Sequence, residues 1–340
     1  MKQIVEYKGK TNGAQRYYGI DVVKFFCAFL VVAIHVAPFS EKAFPDAAAL
    51  NFFFTKTICR IAVPFYFAAS GFLLFRNMDR GQVDWERVRN YCFKLLRLYG
   101  LWSVLLSAGE KGHLWYLGAT VVGVLCLSLC FHRRMKFGVM ALFAAVLYGI
   151  GLLGDSYYGI QASLRNIPMV DQIARGYESM FRSTRNGLFM GFPFLLIGAV
   201  LGVKKVRMKP LTAALGFVAS VALLIAEAYA LKHYGRCRDY NMYLSLLPAA
   251  FFLLALATSV VLPKRGRYEG MQTVGSLVYY LHLLVYAAIR LSHGAVMKMA
   301  GVDLYVYQYL ITVLVTTLIS ALIWKISKDR RFAWLQYLYR

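Results

Sequence analysis

Lys24 and His35 stand eleven residues apart in the first long apolar stretch of the chain. On a helix that spacing is three turns plus about 20°, so both side chains project from one face. Their separation along the axis is about 16 Å at 1.5 Å per residue. A cation at one level can hold an anionic group while an imidazole at the other does acid–base chemistry. Asp21, three residues before Lys24, can pair with it on the same stripe. The same residues also suit a snorkelling Lys and a His that hydrogen-bonds between helices.

Few other ionisable groups interrupt the apolar stretches: Lys56, Arg60, Lys94, Arg97, Glu227 and His282. In a membrane each costs about 2.5–3.5 kcal/mol even on lenient scales, which makes each a candidate for function. Arg60 cannot shed its charge at depth and needs an anionic partner, or else stabilises an oxyanion. Glu227, placed near the depth of His35, can orient its imidazole, or can pair with Arg60 or Lys232. Lys94 and Arg97, three apart on one face, can clamp phosphates together with Lys24 or serve as interface anchors. His282, within Tyr279-Tyr280-Leu281-His282, also suits polar packing between helices. His113-Leu114-Trp115-Tyr116-Leu117 also reads as an aromatic belt.

The elements that position these residues follow from composition. The chain has 340 residues, 59% hydrophobic and 16% charged, with 39 Lys+Arg against 16 Asp+Glu. A soluble domain is about half apolar and a quarter charged. With 24 Phe and 24 Tyr the chain is not intrinsically disordered. A span needs about 20 mostly apolar residues. Ten stretches qualify: 19–38, 50–75, 90–108, 114–131, 137–154, 187–203, 210–232, 241–262, 270–292 and 304–326. The expectation is one all-α, polytopic domain over 1–340, its first span an uncleaved anchor. Pro64 and the Ser70-Gly71 step make the second span irregular and open to close backbone approach.

A net charge of +23 would ordinarily suggest nucleic acid. Sorted by loop, however, 23 basic residues fall on the side of the N-terminus, among them Lys2, Lys8, Lys10, Lys264, Arg265 and Arg267. Eleven fall opposite and five within spans. The positive-inside rule then places both termini in the cytoplasm, in a bacterial-type plasma membrane, with the lipid bilayer rather than nucleic acid as partner. Cys27, Cys59, Cys92, Cys126 and Cys130 lie in spans and Cys237 in a loop, so neither a disulfide framework nor a metal site is expected. The loop near 155–186, with Arg165, Arg175, Arg182 and Arg185 against Asp155, Asp171 and Glu178, is long enough to be structured.

In this order the motifs resemble the membrane acyltransferase-3 family, typically ten-helix proteins. Lys24 and His35 match its Arg/Lys-x10-His. Val63 through Phe72 match its aromatic Ser-Gly motif, and Lys94-Leu95-Leu96-Arg97 its Arg-x-x-Arg, with Tyr99 near the place of the usual Pro. The segments His113–Leu117, Arg185–Phe189 and Gly275–His282 fit later signatures. Lys24 and the stretches 111–117 and 184–198 are most similar to the membrane half of vancomycin-resistance serine racemases. Those carry a C-terminal racemase domain, which this sequence, ending at Arg340, is expected to lack; a racemase domain in trans is left open as a partner.

The resemblance implies transfer of an acetyl or other acyl group from cytoplasmic acetyl-CoA to an extracytoplasmic hydroxyl, on a sugar, a cell-wall component or a serine-like molecule. His35 is then base or transient acyl carrier; Glu227 orienting it and Arg60 stabilising the oxyanion are expectations from the residues themselves, not from the resemblance. Lys24, Lys94 and Arg97 hold the CoA phosphates, with Asp21 and Ser70 beside them. His113, Trp115, Tyr116, Arg185, Asn186 and His282 are candidates for the acceptor side. The competing expectation is an L-serine uptake module serving a racemase.

Overall fold

The computed structural model describes residues 16–40, 46–106, 112–181, 183–260, 262–263, 266–300 and 305–340, with the backbone alone at 267, 269 and 293–300. Lys2, Lys8, Lys10, Lys111, Arg182, Lys264, Arg265 and the side chain of Arg267 lie outside the described residues. The described chain is helical, with one isolated bridge between Asp79 and Gln82. In order, the helices are α1 (Tyr18–Val36), α2 (Ala47–Phe75), α3 (Trp85–Leu105), α4 (Gly112–His132), α5 (Phe137–Leu153), α6 (Tyr158–Leu164), α7 (Pro168–Met180), α8 (Gly187–Val203), α9 (Pro210–Tyr234), α10 (Leu246–Ser259), α11 (Gly266–Ala300) and α12 (Tyr305–Ile326).

Each of the ten expected stretches is helical over most of its length, but six helices are long and apolar enough to cross a membrane. They are α1, α2, α4, α9, α11 within Gly270–Ser292, and α12. α5 and α6 pass the same test together, bent by 80° at their junction. α3 carries Glu86, Arg87, Arg89, Lys94 and Arg97, too many charges for an apolar span. α8 and α10 are shorter, and the stretch expected over 241–262 is helical only from Leu246. Residues 241–245 instead form a link whose backbone N–H groups bond the buried Asp155 and the half-buried Glu227 carboxylates. The chain is thus a multi-pass helical membrane protein with several helices that do not by themselves span.

The segment near 155–186 is folded. α6 and α7 are tied by Arg165 to Glu178 at 2.6 Å and to Asp171 at 4.0 Å. Arg238 reaches the same Glu178 carboxylate at 3.4 Å. Arg175, one turn after Asp171, holds that exposed carboxyl below its ordinary range.

Two irregular segments prepare the interior. Phe52–Thr57 is π-helical and Ile58–Ile61 is 3-10 before α2 resumes its regular course. Pro64 lacks an N–H and its ring crowds the carbonyl of Arg60, so the irregular turn falls just before it. The irregularity therefore lies upstream of the Ser-Gly step. A second π turn, Gly187–Gly191, opens α8 ahead of Pro193. Gly71 and Gly198 do the work expected of small residues: a Cβ on Gly71 would fall on the Leu195 carbonyl, and one on Gly198 on that of Ala68. The α2–α8 contact is accordingly backbone to backbone. Gly198→Ala should lower stability by about 1–3 kcal/mol through overpacking. Thermal unfolding of the detergent-solubilised protein measures it, and an unchanged midpoint would mean that the helices part freely.

Candidate functional site

α1 packs along α11 and against α2 and α10, so its Lys24–His35 face looks into the bundle. Two cavities open along that face. The larger, about 480 Å³, is lined at the Lys24 level by Lys24, Ser70, Arg87, Tyr91, Lys94 and Gln272. It adjoins a further cavity of about 410 Å³, with which it shares Lys94, Gln272, Ser276 and Tyr339. That second space adds the cations Arg16, Lys328 and Arg340. The basic residues here converge from α1, α3 and the C-terminal segment, which Trp102 anchors by donating to the Leu338 carbonyl at 3.0 Å.

The smaller cavity, about 60 Å³, lies at the His35 level. Its lining includes His35, Arg60, His113, Trp115, Arg185 and Asn241. Tyr116 and Tyr279 line both cavities and form the wall between them. Tyr66 completes the wall, its ring 5.8 Å from Tyr116 and 6.3 Å from Tyr279. Its hydroxyl donates to the Lys24 carbonyl at 2.8 Å, and Tyr116 shares a 3.3 Å hydrogen bond with Ser70. Movement of three aromatic rings would therefore connect a basic chamber with a histidine chamber.

The histidine end is a cluster. The ring of His35 is 5.3 Å from that of His282 and 6.0 Å from that of His113. His113 and His282 are 5.0 Å apart. Neither ring nitrogen of His113 has a partner, and its backbone carbonyl accepts from the Tyr279 hydroxyl. Across the cavity Arg60 is 9% exposed, and its Nη1 donates to Asn241 Oδ1 at 2.5 Å. Asn241 Nδ2 donates in turn to Asp155 Oδ2 at 3.1 Å. The other oxygen of Asp155 accepts from the backbone N–H of Asn241 and Met242. An amide thus stands between guanidinium and carboxylate, and Arg60 Nε is left without a partner.

Other expected site residues sit elsewhere. Glu227 does not line the His35 cavity. Its carboxylate accepts from Tyr157 at 2.8 Å, from the N–H of Leu244 at 2.7 Å and of Ser245 at 2.8 Å, and from the Ser245 hydroxyl. It ties down the start of α10, whose orphan N–H groups attract a carboxylate more strongly than a distant imidazole does. Asn186 caps α8, its Oδ1 accepting from Leu188 and Phe189 at 2.9 and 3.0 Å. Asp21 accepts a hydrogen bond from Arg16 at 3.3 Å. Arg97 donates to the Arg340 carbonyl and lies over the Tyr337 ring, outside both chambers, while Arg87 and Lys94 line the basic one. His282 lies behind the lining of the histidine chamber.

Sequence reasoning passed over Arg87, Tyr66, Tyr279 and Asn241 as site residues. Two had a signal: Tyr66 is one helical turn before Ser70, and Tyr279 is three residues before His282, each on the face of a residue already selected. Asn241 carried none, because its two partners are 181 and 86 residues distant.

Residues 17–110 match the family model described as "Acyltransferase domain", of the acyltransferase-3 type. The chain carries an acyltransferase-3 domain. Asp21, Lys24, His35, Arg60, Ser70, Lys94 and Arg97 all fall within the matched acyltransferase segment. Curated relatives include an "Amino-acid racemase" of Enterococcus faecalis, 30% identical over 304 residues, covering 81% of this chain and 42% of the relative. Another protein of that name from the same organism is 29% identical, covering 80% of this chain and 39% of its own length. A "Serine/alanine racemase" of Enterococcus gallinarum is 29% identical over 325 residues, covering 88% of this chain and 44% of the relative. The chain thus spans about two fifths of the length of these relatives. No solved structure matches it.

Proposed function

We propose that residues 1–340 form one membrane O-acyltransferase domain that takes an acyl group, acetyl in the simplest case, from cytoplasmic acyl-CoA to a hydroxyl presented from outside the cell. The observation that carries this reading is the pair of chambers on the Lys24–His35 face, with Tyr116 and Tyr279 lining both. The basic end, with Lys24, Arg87 and Lys94, suits the donor's phosphates. Its chemistry is a fit for several anionic oxygens, because three cations from two helices surround one space. The offset of about 16 Å from Lys24 to His35 is comparable to the extended arm of the donor.

In this reading both termini face the cytoplasm, and the membrane is a bacterial-type plasma membrane. His35 removes the acceptor's hydroxyl proton as the new ester C–O bond forms. The thioester C–S bond breaks, and His35 returns the proton to the departing sulfur. Arg60, held by Asn241 through Nη1, directs its remaining donors at the developing oxyanion. His113, Trp115 and Arg185 line the acceptor side.

Lys24→Met combined with Lys94→Met should raise KM for the acyl donor by roughly 100-fold or more, since each charge-assisted contact is worth about 1.5–3 kcal/mol, while changing kcat little. A changed kcat at unchanged KM would remove these lysines from donor binding. The defining experiment incubates protein in lipid nanodiscs with labelled acetyl-CoA and a panel of sugars, glycan fragments and amino acids. Label recovered as an ester on one acceptor supports the proposal.

The second reading is amino-acid uptake, favoured by the names of the relatives, two "Amino-acid racemase" and one "Serine/alanine racemase". Intramembrane charges suit a substrate path equally. Accumulation of L-serine in proteoliposomes without acyl donor, with no labelled ester on any acceptor, would overturn the acyltransferase reading in its favour.

A further inference from the structure

A general base needs its second nitrogen fixed, so that the lone pair faces the substrate. Glu227, the carboxylate expected to do this for His35, is bonded instead to Tyr157, Leu244 and Ser245. Among the described residues no carboxylate lines the His35 cavity. His282 offers another way. It is fully buried on α11, and its Nδ1 lies 2.8 Å from the Tyr279 carbonyl oxygen and 3.2 Å from that of Val278. Carbonyl oxygens only accept, so Nδ1 carries the proton and Nε2 carries a lone pair. Nε2 is buried and has no partner.

A complement on the Lys24 face is His35. The two ring centroids are 5.3 Å apart, with the rings tilted by 43°. Two imidazoles joined by an N–H···N bond of about 2.9 Å have centroids about 5 Å apart, so the separation of these rings admits such a bond once the His35 ring turns toward Nε2. Catalytic hydrogen bonds commonly tighten only when substrate is present. His113 is the other imidazole in reach, 5.0 Å from His282, but it lies off the α1 face that carries Lys24, and it is His35 that shares that face with the basic chamber. His282 has one nitrogen committed to backbone and one lone pair directed by that commitment.

We infer that His282 is the positioning residue for His35, accepting a hydrogen bond from the His35 N–H and so presenting the opposite His35 nitrogen, with its lone pair, to the chamber. The inference rests on the acyltransferase reading above. In the step, the acceptor's proton moves to His35 as the C–O bond forms and leaves with the thiol as the C–S bond breaks. His282 neither gains nor loses a proton. It accepts a stronger, charge-assisted bond while His35 is an imidazolium. The arrangement replaces the carboxylate of a triad by a neutral imidazole.

The test compares His282→Leu, His282→Gln and His35→Ala in nanodiscs, following thiol release from acetyl-CoA with glycerol in excess as a generic hydroxyl. A glutamine places its amide oxygen close to where His282 has Nε2. The expected result is a fall in kcat of roughly 100-fold for His282→Leu with KM for acetyl-CoA unchanged, and recovery to within about tenfold of wild type for His282→Gln. Equal losses in the two variants, or a rise in KM with kcat retained, would make His282 structural and overturn the inference. Should His282→Leu not fold, His282→Gln against His282→Asn decides, because asparagine is too short to reach the Nε2 position, and equal rates in those two refute it. If His35→Ala abolishes thiol release while His282→Leu retains it, only this inference falls. If wild type releases no thiol, or His35→Ala releases it fully, the acyltransferase reading falls with it.

Discussion

His35→Ala is expected to lower the rate of acyl transfer by about 10²–10⁴-fold, the range ascribed to one positioned general base. Donor binding should survive, because the basic chamber is lined by Lys24, Arg87, Lys94 and Gln272 and lies beyond the Tyr66, Tyr116 and Tyr279 wall. The measurement is single-turnover transfer from labelled acetyl-CoA in nanodiscs, beside equilibrium binding of the donor. Loss of both together would place His35 in donor binding or in the fold. Full transfer would remove it from the chemistry. His35→Gln should behave like His35→Ala, because an amide hydrogen-bonds but does not take up a proton near neutral pH.

Asn241→Leu should be the most damaging single change to stability, at about 3–5 kcal/mol. The amide is 3% exposed and bonds Arg60 on one side and Asp155 on the other. A leucine leaves a buried guanidinium and a buried carboxylate each short of a partner. Thermal unfolding of the solubilised protein reads the effect. Asn241→Asp is the informative contrast. It keeps the acceptor toward Arg60 but sets two carboxylates against one another, so it should destabilise the protein while Asn241→Asp with Asp155→Asn recovers part of the loss. A midpoint within a degree of wild type for Asn241→Leu would show that water fills the gap.

Much of the fold was legible because hydrophobic length is a one-dimensional property. Helices such as Tyr18–Val36, Pro210–Tyr234 and Tyr305–Ile326 fall within a few residues of the apolar stretches read from the chain. The shared face of Lys24 and His35 was legible for the same reason, since one helix carries both. Contacts between helices were not. Glu227 was assigned to His35 by depth alone, and the structure bonds it to the turn before Leu246 instead. Depth sets which residues share a level, and says nothing of azimuth, so every residue of similar depth competed equally. Arg97 failed in the same manner: two basic residues three apart share a face, yet only Lys94 looks into the chamber while Arg97 meets Arg340.

By itself the sequence determined a helical membrane protein, an acyltransferase-3 domain and a cation and an imidazole on one helical face. The first and last follow from composition, apolar run lengths and short-range spacing, and the domain from the likeness of residues 17–110 to a known family. Tertiary structure alone decided that the face opens into two chambers with an aromatic wall, that Asn241 links Arg60 to Asp155, and that His35 has two histidines as neighbours. Each of these is a meeting of side chains from helices far apart in the chain. Which faces meet depends on where Gly71 and Gly198 let backbones touch and where Pro64 turns α2, and no local period encodes that.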